Sequence, residues 1–185
     1  MGAIKKVNIH AGHNPDGKAA CGAVGIIKES TEARYLVKKI VGMLKDNGIT
    51  VYNCTVNDGT SPSNVLQKIV KKCNAHSVDL DISVHFNSGR NDRKGDRKIG
   101  GTEVWVRKEE GIKKTAGRKI CKKLENLGFT NRGVKETNGL YFLNHTKAPA
   151  ILIEVCFVDD KDDTALYKGN KDKIAKRICN AILEC

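Results

Sequence analysis

Residues 150–158 read Ala-Ile-Leu-Ile-Glu-Val-Cys-Phe-Val, an apolar run interrupted once, by Glu154. A run of this length and composition predicts a strand buried on both faces, inside a sheet with helices packed on either side. That requirement constrains the fold more than any other feature of the chain. It also poses a chemical question, because a carboxylate in a doubly buried strand costs several kcal/mol unless something compensates for it. A metal ion or a proton-transfer role is the usual compensation. Two other strand candidates carry histidine at their ends: Val7-Asn8-Ile9-His10-Ala11-Gly12-His13 and Asp81-Ile82-Ser83-Val84-His85-Phe86-Asn87.

Between these segments the pattern alternates. A strand at about 6–10 is followed by a Gly-, Asn-, Pro- and Asp-rich loop over 12–25. Ala33, Leu36, Val37, Ile40, Val41 and Leu44 then recur at helical spacing over 30–47, closed by Asn47-Gly48. Residues 49–55 read as a strand, and Ser61-Pro62 opens a helix as N-cap and first residue. The His85 strand, a long polar loop over 88–101, a strand over 102–106 and a helix over 111–127 come next. A short apolar segment (139–143), the Glu154 strand and a last helix from about 170 complete the chain. Strands alternating with helices predict an α/β fold: three layers, with a central, mostly parallel twisted sheet flanked by helices. No linker or internal repeat divides residues 1–185, so a single domain is expected.

The formal charge of +12 calls for a polyanionic environment, and nucleic acid, an anionic membrane or a bacterial wall all qualify. A single Trp gives few stacking platforms for nucleic acid. No stretch approaches the run of about 18 apolar residues a membrane span needs, which argues against membrane insertion. Nothing at the N-terminus resembles a signal peptide, so synthesis in the cytoplasm is expected. The seven cysteines are odd in number and contain no Cys-x-x-Cys pair, which predicts reduced thiols.

Ligands of open parallel sheets sit outside the carboxyl ends of the strands. His13 and His85 fall at such ends, and Glu29, just before the first long helix, can reach the same edge. Two imidazoles and a carboxylate are a catalytic zinc set that leaves a fourth position open. Taken singly, each residue has a plainer role: a strand-end histidine can be a hydrogen-bonded structural residue, and Glu29 can be a first-turn carboxylate favoured by the helix dipole. Glu154 resists such a reading, because unpaired glutamates are rarely buried in strands. His10 competes with His13, but alternation sends His10 to one sheet face within its strand while His13 follows Gly12 in the turn. Together these residues predict a metal hydrolase.

Six motifs carry a family resemblance over residues 4–184: Ala11-Gly12-His13, Ile27-Lys28-Glu29, Ser83-Val84-His85-Phe86-Asn87, Gly101-Thr102-Glu103-Val104, Asn131-Arg132-Gly133-Val134 and Ala148-Pro149-Ala150-Ile151-Leu152-Ile153-Glu154. The chain resembles the zinc-dependent N-acetylmuramoyl-L-alanine amidases, including the catalytic domains of clostridial phage endolysins. The resemblance implies one Zn²⁺ per chain held by His13, Glu29 and His85, with Glu154 as the catalytic glutamate. It implies cleavage of the amide between N-acetylmuramic acid and L-alanine in peptidoglycan, by a phage endolysin or a bacterial autolysin. Partners would be peptidoglycan and its anionic wall polymers, with no nucleic acid. The protein would be a monomer that reaches the wall by holin-type or other non-classical release, with no separate wall-binding domain in the chain. His10 stands where the family usually has Asp. Asn87, Arg132, Asn144 and His145 are candidate substrate contacts; Asn87 reads equally well as a turn residue, and His145 as a solvent-exposed loop histidine. A basic nucleic-acid-binding protein or a metal-dependent nuclease remains the alternative, although a nuclease would more naturally use carboxylate-rich Mg²⁺ sites.

Overall fold

The computed structural model describes residues 3–185; Met1 and Gly2, the first two residues of the expected 1–185 domain, lie outside the described residues. Its strands are β1 (Lys6–Ala11), β2 (Thr50–Asn53), β3 (Leu80–Asn87), β4 (Thr102–Val106), β5 (Asn131–Glu136) and β6 (Ala150–Phe157). They form one sheet in the order β2-β1-β3-β6-β4-β5, parallel throughout except where β4 runs antiparallel to β6. The helices are α1 (Glu29–Asp46), α2 (Pro62–Cys73), α3 (Gly111–Glu125), α4 (Tyr141–His145) and α5 (Lys161–Leu183). No helix among the described residues is long and apolar enough to cross a membrane.

Side-chain alternation divides the sheet into two unlike faces. Ile9, Ile82, Val84, Val104, Ile151 and Ile153 pack with the buried sides of α1, α3 and α5 in the larger core. The opposite face carries Asn8, His10, Asp81, Ser83, His85, Glu103 and Glu154, and a smaller core joins it to α2 and α4 through Val65, Ile69, Phe142 and Leu152. The three-layer α/β expectation holds. The polar residues concentrate on the face with the lighter helical cover, where the smaller core leaves room for a cleft.

Local chemistry sets the helix starts. Ser61 Oγ accepts from Asn64 N at 3.2 Å, the capping expected for α2. Asp160 caps α5 by accepting from the backbone N–H groups of Asp162 (2.9 Å) and Asp163 (3.0 Å). That cap moves the start of the last helix from the expected residue 170 to Lys161. The helix kinks at Asn170, whose φ of −135° is not helical. Its first segment buries Asp163, Thr164 and Tyr167 and so carries no apolar stripe to read. β5 also went unforeseen: Val134 is its one aliphatic side chain of any size, and it lies at the sheet edge. His145 ends the short helix α4, correcting its expected place in a loop.

The 88–101 loop is tied to the start of α5. Asp159 accepts from the N–H groups of Gly89, Arg90 and Asn91, Asp160 pairs with Arg90 Nε at 3.1 Å, and Asp162 accepts from Arg97 N. Asp92, Asp160 and Asp162 converge here, but backbone N–H groups and Arg90 already occupy both oxygens of Asp92 and Asp160 and Oδ2 of Asp162.

Candidate active site

His13 follows β1, His85 stands near the end of β3, and Glu29 is the first residue of α1. Their donor atoms all lie within 4.8 Å of one another. Glu29 Oε1 sits 2.9 Å from His85 Nδ1 and 3.3 Å from His13 Nε2, and the imidazole centroids are 4.9 Å apart. Ala23 N donates to Glu29 Oε2 at 2.8 Å and Phe86 N to Oε1 at 3.2 Å, which fixes the carboxylate between the rings. Burial alone would push the Glu29 carboxyl up, but hydrogen bonds from His13 and His85 hold it well below the usual carboxylate range. Two imidazoles and an ionised carboxylate meeting at one point, with an open side, suit a zinc ion by donor chemistry.

Small residues make this approach possible. A Cβ at Gly12 would lie 2.1 Å from His85 Cε1, so the His85 ring rests on bare backbone. Gly22, at φ +80°, passes the other side, where a Cβ would meet Glu29 Oε2 at 2.6 Å and His13 Cδ2 at 2.7 Å. His13 itself has a φ of +64°, a conformation rarely adopted by non-glycine residues. Arg34, one turn and a half into α1, holds it there. Its guanidinium donates to His13 O and Val56 O, each at 2.8 Å, to Ser30 O at 3.1 Å, and to Asn57 Oδ1. Sequence reasoning passed over Arg34, because nothing local marks an arginine whose partners lie on the loops after β1 and β2 as well as on its own helix. Lysine cannot reproduce that planar fork. Arg34→Lys should therefore fold but bind zinc about 10- to 100-fold more weakly, as read by chelator competition. Unchanged affinity would reduce Arg34 to a packing residue.

The β3–β6 register sets Glu154 directly beside His85, and the β4–β6 register sets Glu103 opposite Glu154. Glu154 is half-buried at a cavity of about 550 Å³ that also reaches His13, Glu29 and His85, and its Oε2 is buried with no hydrogen-bond partner. Burial raises the Glu154 pKa well above the carboxylate range, and the charges of Glu29 and Glu103 push the same way. Glu103 behaves oppositely. Burial favours its neutral form, but Lys135 and Arg132 outweigh this and lower its pKa. Arg132 Nε and Lys135 Nζ each donate to its Oε2 at 2.6 Å, while Asn87 Nδ2 and Trp105 Nε1 donate to Oε1 at 3.0 Å. Glu103 lies within one of the six motifs, where nothing marks it as a site residue; its pairing opposite Glu154 reveals it.

The remaining expected residues divide. Asn87 lines the main cavity and an adjoining one of about 370 Å³ shared with Glu103, Trp105 and Glu154. Arg132 lines neither; it pairs with Glu103 and lies over the Phe157 ring. Asn144 Nδ2 donates to Asn138 O at 2.6 Å, and the His145 ring stacks on Tyr141 at 3.8 Å with Nδ1 2.8 Å from Tyr141 O. These two stand outside the main lining and brace the segment that supplies it with Leu140, Tyr141 and Phe142. His10 is buried on the same sheet face as His85, its ring edge-on to Phe142 at 4.7 Å. Burial, helped by the nearby His85 charge, lowers its pKa to about 3, so it is neutral at physiological pH. The three converging donors include His13 and not His10.

The sequence model of the N-acetylmuramoyl-L-alanine amidase family matches residues 7–184. An uncharacterized 38.4 kDa protein of Clostridium perfringens is 33% identical over 183 residues, covering 96% of this chain and 52% of that protein. The endolysin of Bacillus phage SPP1 is 30% identical over 174 residues, covering 89% of this chain and 59% of the endolysin. Among solved structures, the catalytic domain of an endolysin targeting Clostridia Difficile superposes with a TM-score of 0.85 at 27% identity, covering 97% of each chain. The chain spans about half the length of the curated relatives it matches.

Proposed function

The chain belongs to the N-acetylmuramoyl-L-alanine amidase family, and on that premise we propose that it hydrolyses the amide between N-acetylmuramic acid and L-alanine in peptidoglycan. The observation that carries this reading is the convergence of His13, Glu29 and His85 beside a half-buried, raised-pKa Glu154 in one cavity. We assign His13, Glu29 and His85 as ligands of one Zn²⁺. When bound, zinc supplies a Lewis acid for the scissile carbonyl and brings the pKa of a water it holds toward about 7.

Glu154 does the proton work. It accepts a proton from the attacking water and passes it to the departing nitrogen as the C–N bond breaks, leaving a lactyl carboxylate and an alanine amine. A carboxyl with a raised pKa suits both halves of that transfer. Glu103, its charge balanced by Arg132 and Lys135, accepts from Asn87 at the edge of the cavity, and we assign the Asn87 amide as a substrate contact. No thiol nucleophile is needed, and the cysteines are all free and mostly buried.

Removing the metal tests this assignment. About one zinc per chain is expected by elemental analysis, with wall-degrading activity lost to a chelator and restored by Zn²⁺ or Co²⁺. Full activity in metal-free protein would overturn it.

Family membership favours the wall over nucleic acid as the polyanion that the charge of +12 meets. We propose that the protein is made in the cytoplasm, acts as a monomeric catalytic domain of an endolysin or autolysin, and reaches the wall by holin-type or similar release. Attraction to wall polyanions then implies salt sensitivity. Lysis of whole cells should weaken between roughly 0.05 and 0.5 M salt as the Debye length contracts, while cleavage of a small soluble muropeptide barely changes. Equal salt sensitivity on both substrates would remove wall electrostatics from the account.

A further inference from the structure

The positive charge of the chain is concentrated on one side of the sheet. α3 holds six Lys or Arg against one Glu, α5 six against three Asp, and α1 four against three acids, which leaves these helices nine of the twelve net positive charges. All three pack on the larger core, whereas the cavity that reaches His13, Glu29 and His85 lies on the other face of the sheet, with α2 and α4. The basic layer therefore forms the back of the molecule, and no residue role assigned above uses it.

α5 lies in the middle of that layer. Its Asp172 pairs with Lys39 and accepts from Tyr35 of α1, its Lys171 pairs with Glu32, and Lys119 and Lys123 of α3 reach Glu184 just past its end. Between these two seams Lys173, Lys176 and Arg177 stand exposed at i, i+3 and i+4, with no carboxylate partner among the described residues. Like charges at that spacing share one helix face and repel, which an external anion would relieve.

The chemistry of the face selects the anion. Exposed, flexible cations in a row recognise a chain of charges and not a shaped ligand, and a phosphodiester polymer carries one negative charge per repeat throughout the physiological pH range. Nucleic acid offers the same charge, but its single strands are held in large part by stacking on aromatic rings. α3 has no aromatic residue, Tyr167 of α5 is buried, and the Tyr35 ring is already covered by Lys39 and Lys171.

We propose that the outer face of α5, centred on Lys173, Lys176 and Arg177 and flanked by Lys39 of α1 and Lys119 of α3, is a docking surface for a phosphodiester polymer of the bacterial wall. The proposal rests on the wall-hydrolase reading above and deepens it, because it gives the protein a second wall partner on the side away from its cleft. Polymer and peptidoglycan can then be engaged together, and the first raises the effective concentration of the second at the cleft.

Binding of the zinc-loaded protein to soluble poly(glycerol phosphate) tests this. The variant Lys173→Gln/Lys176→Gln/Arg177→Gln is compared with a control of equal net charge, Lys5→Gln/Lys6→Gln/Lys71→Gln, whose residues are exposed at the start of β1 and on α2. At about 0.1 M salt the α5 variant should bind at least about tenfold more weakly, and the slope of log affinity against log salt should fall by about two, while the control stays within about threefold. Both should keep wild-type kcat and KM on a small soluble muropeptide. On intact walls only the α5 variant should lose rate, and stripping the walls of phosphodiester polymer with hydrofluoric acid should abolish the difference. Equal losses in the two variants would show that net charge alone acts, and unchanged binding in the α5 variant would leave the face without this ligand; either overturns the proposal. An oligonucleotide bound more tightly than poly(glycerol phosphate), and released by the same substitutions, would make the face a nucleic-acid surface and overturn it too. Failure of the wild-type protein to cleave the muropeptide would instead refute the hydrolytic reading, while the polymer-binding comparison would still decide the role of the face.

Discussion

Glu154→Gln should fold, keep its zinc and turn over about 10²- to 10⁴-fold more slowly, the usual contribution of a positioned general base. Glutamine keeps the shape and one hydrogen-bonding oxygen but cannot take a proton, and the three assigned ligands are untouched. Stability should move the other way. Folding raises the Glu154 pKa, through burial first and the charges of Glu29 and Glu103 second. A carboxyl whose pKa rises on folding favours the native state below its unfolded pKa of about 4.3 and loses that contribution as pH rises. At neutral pH the wild-type carboxyl is therefore a liability that glutamine removes. Metal-free Glu154→Gln should melt above metal-free wild type at pH 7, with the gain shrinking toward pH 4. Near-normal turnover with a lowered melting temperature would make Glu154 a structural residue.

Gly12→Ala should empty the metal site as thoroughly as replacing a ligand. The added methyl carbon would fall 2.1 Å from His85 Cε1 and 2.4 Å from its Nε2, far inside contact distance. The neighbour that must yield is a ring whose Nδ1, itself 2.5 Å from that carbon, is held by Glu29, so relief comes only by turning His85 out of the group. Zinc content at stoichiometric supply should fall to the level of His13→Ala, Glu29→Ala or His85→Ala, with affinity reduced at least about 100-fold. Gly42→Ala is the control, since a Cβ there meets nothing within 4 Å and the site is helical. His10→Ala should leave occupancy largely intact. Full zinc content in Gly12→Ala would show that His85 does not hold the metal in the orientation described.

Much of the architecture was legible because it is written in side-chain periodicity. The apolar run around Glu154 became β6, paired with the His85 strand as a largely parallel sheet requires. α1 showed its stripe through Ala33, Leu36, Val37, Ile40 and Leu44, all buried. His13, Glu29 and His85 could be grouped because each stands at an element end on one edge of the sheet. What escaped notice depends on distant partners. β5 is an edge strand stabilised by pairing with β4, and its own residues hardly alternate. The first turns of α5 are capped by Asp160 and bury a tyrosine, a threonine and an aspartate where a hydrophobic stripe was sought. Arg34 and Glu103 act through contacts with segments far away in sequence, and neither neighbourhood advertises them. Arg132 stands in one of the six motifs and Asn144 and His145 in the segment that follows; the structure pairs Arg132 with Glu103 and ties Asn144 and His145 to Asn138 and Tyr141.

The chemistry assigned to Glu154 and the metal group predicts one bond and no other. Digesting purified walls with the zinc-loaded protein and identifying the new chain ends tests this directly. The account predicts free N-terminal alanine, released in step with solubilisation and absent with Glu154→Gln, and no new reducing sugar ends. New reducing ends, or solubilisation without new alanine termini, would contradict it.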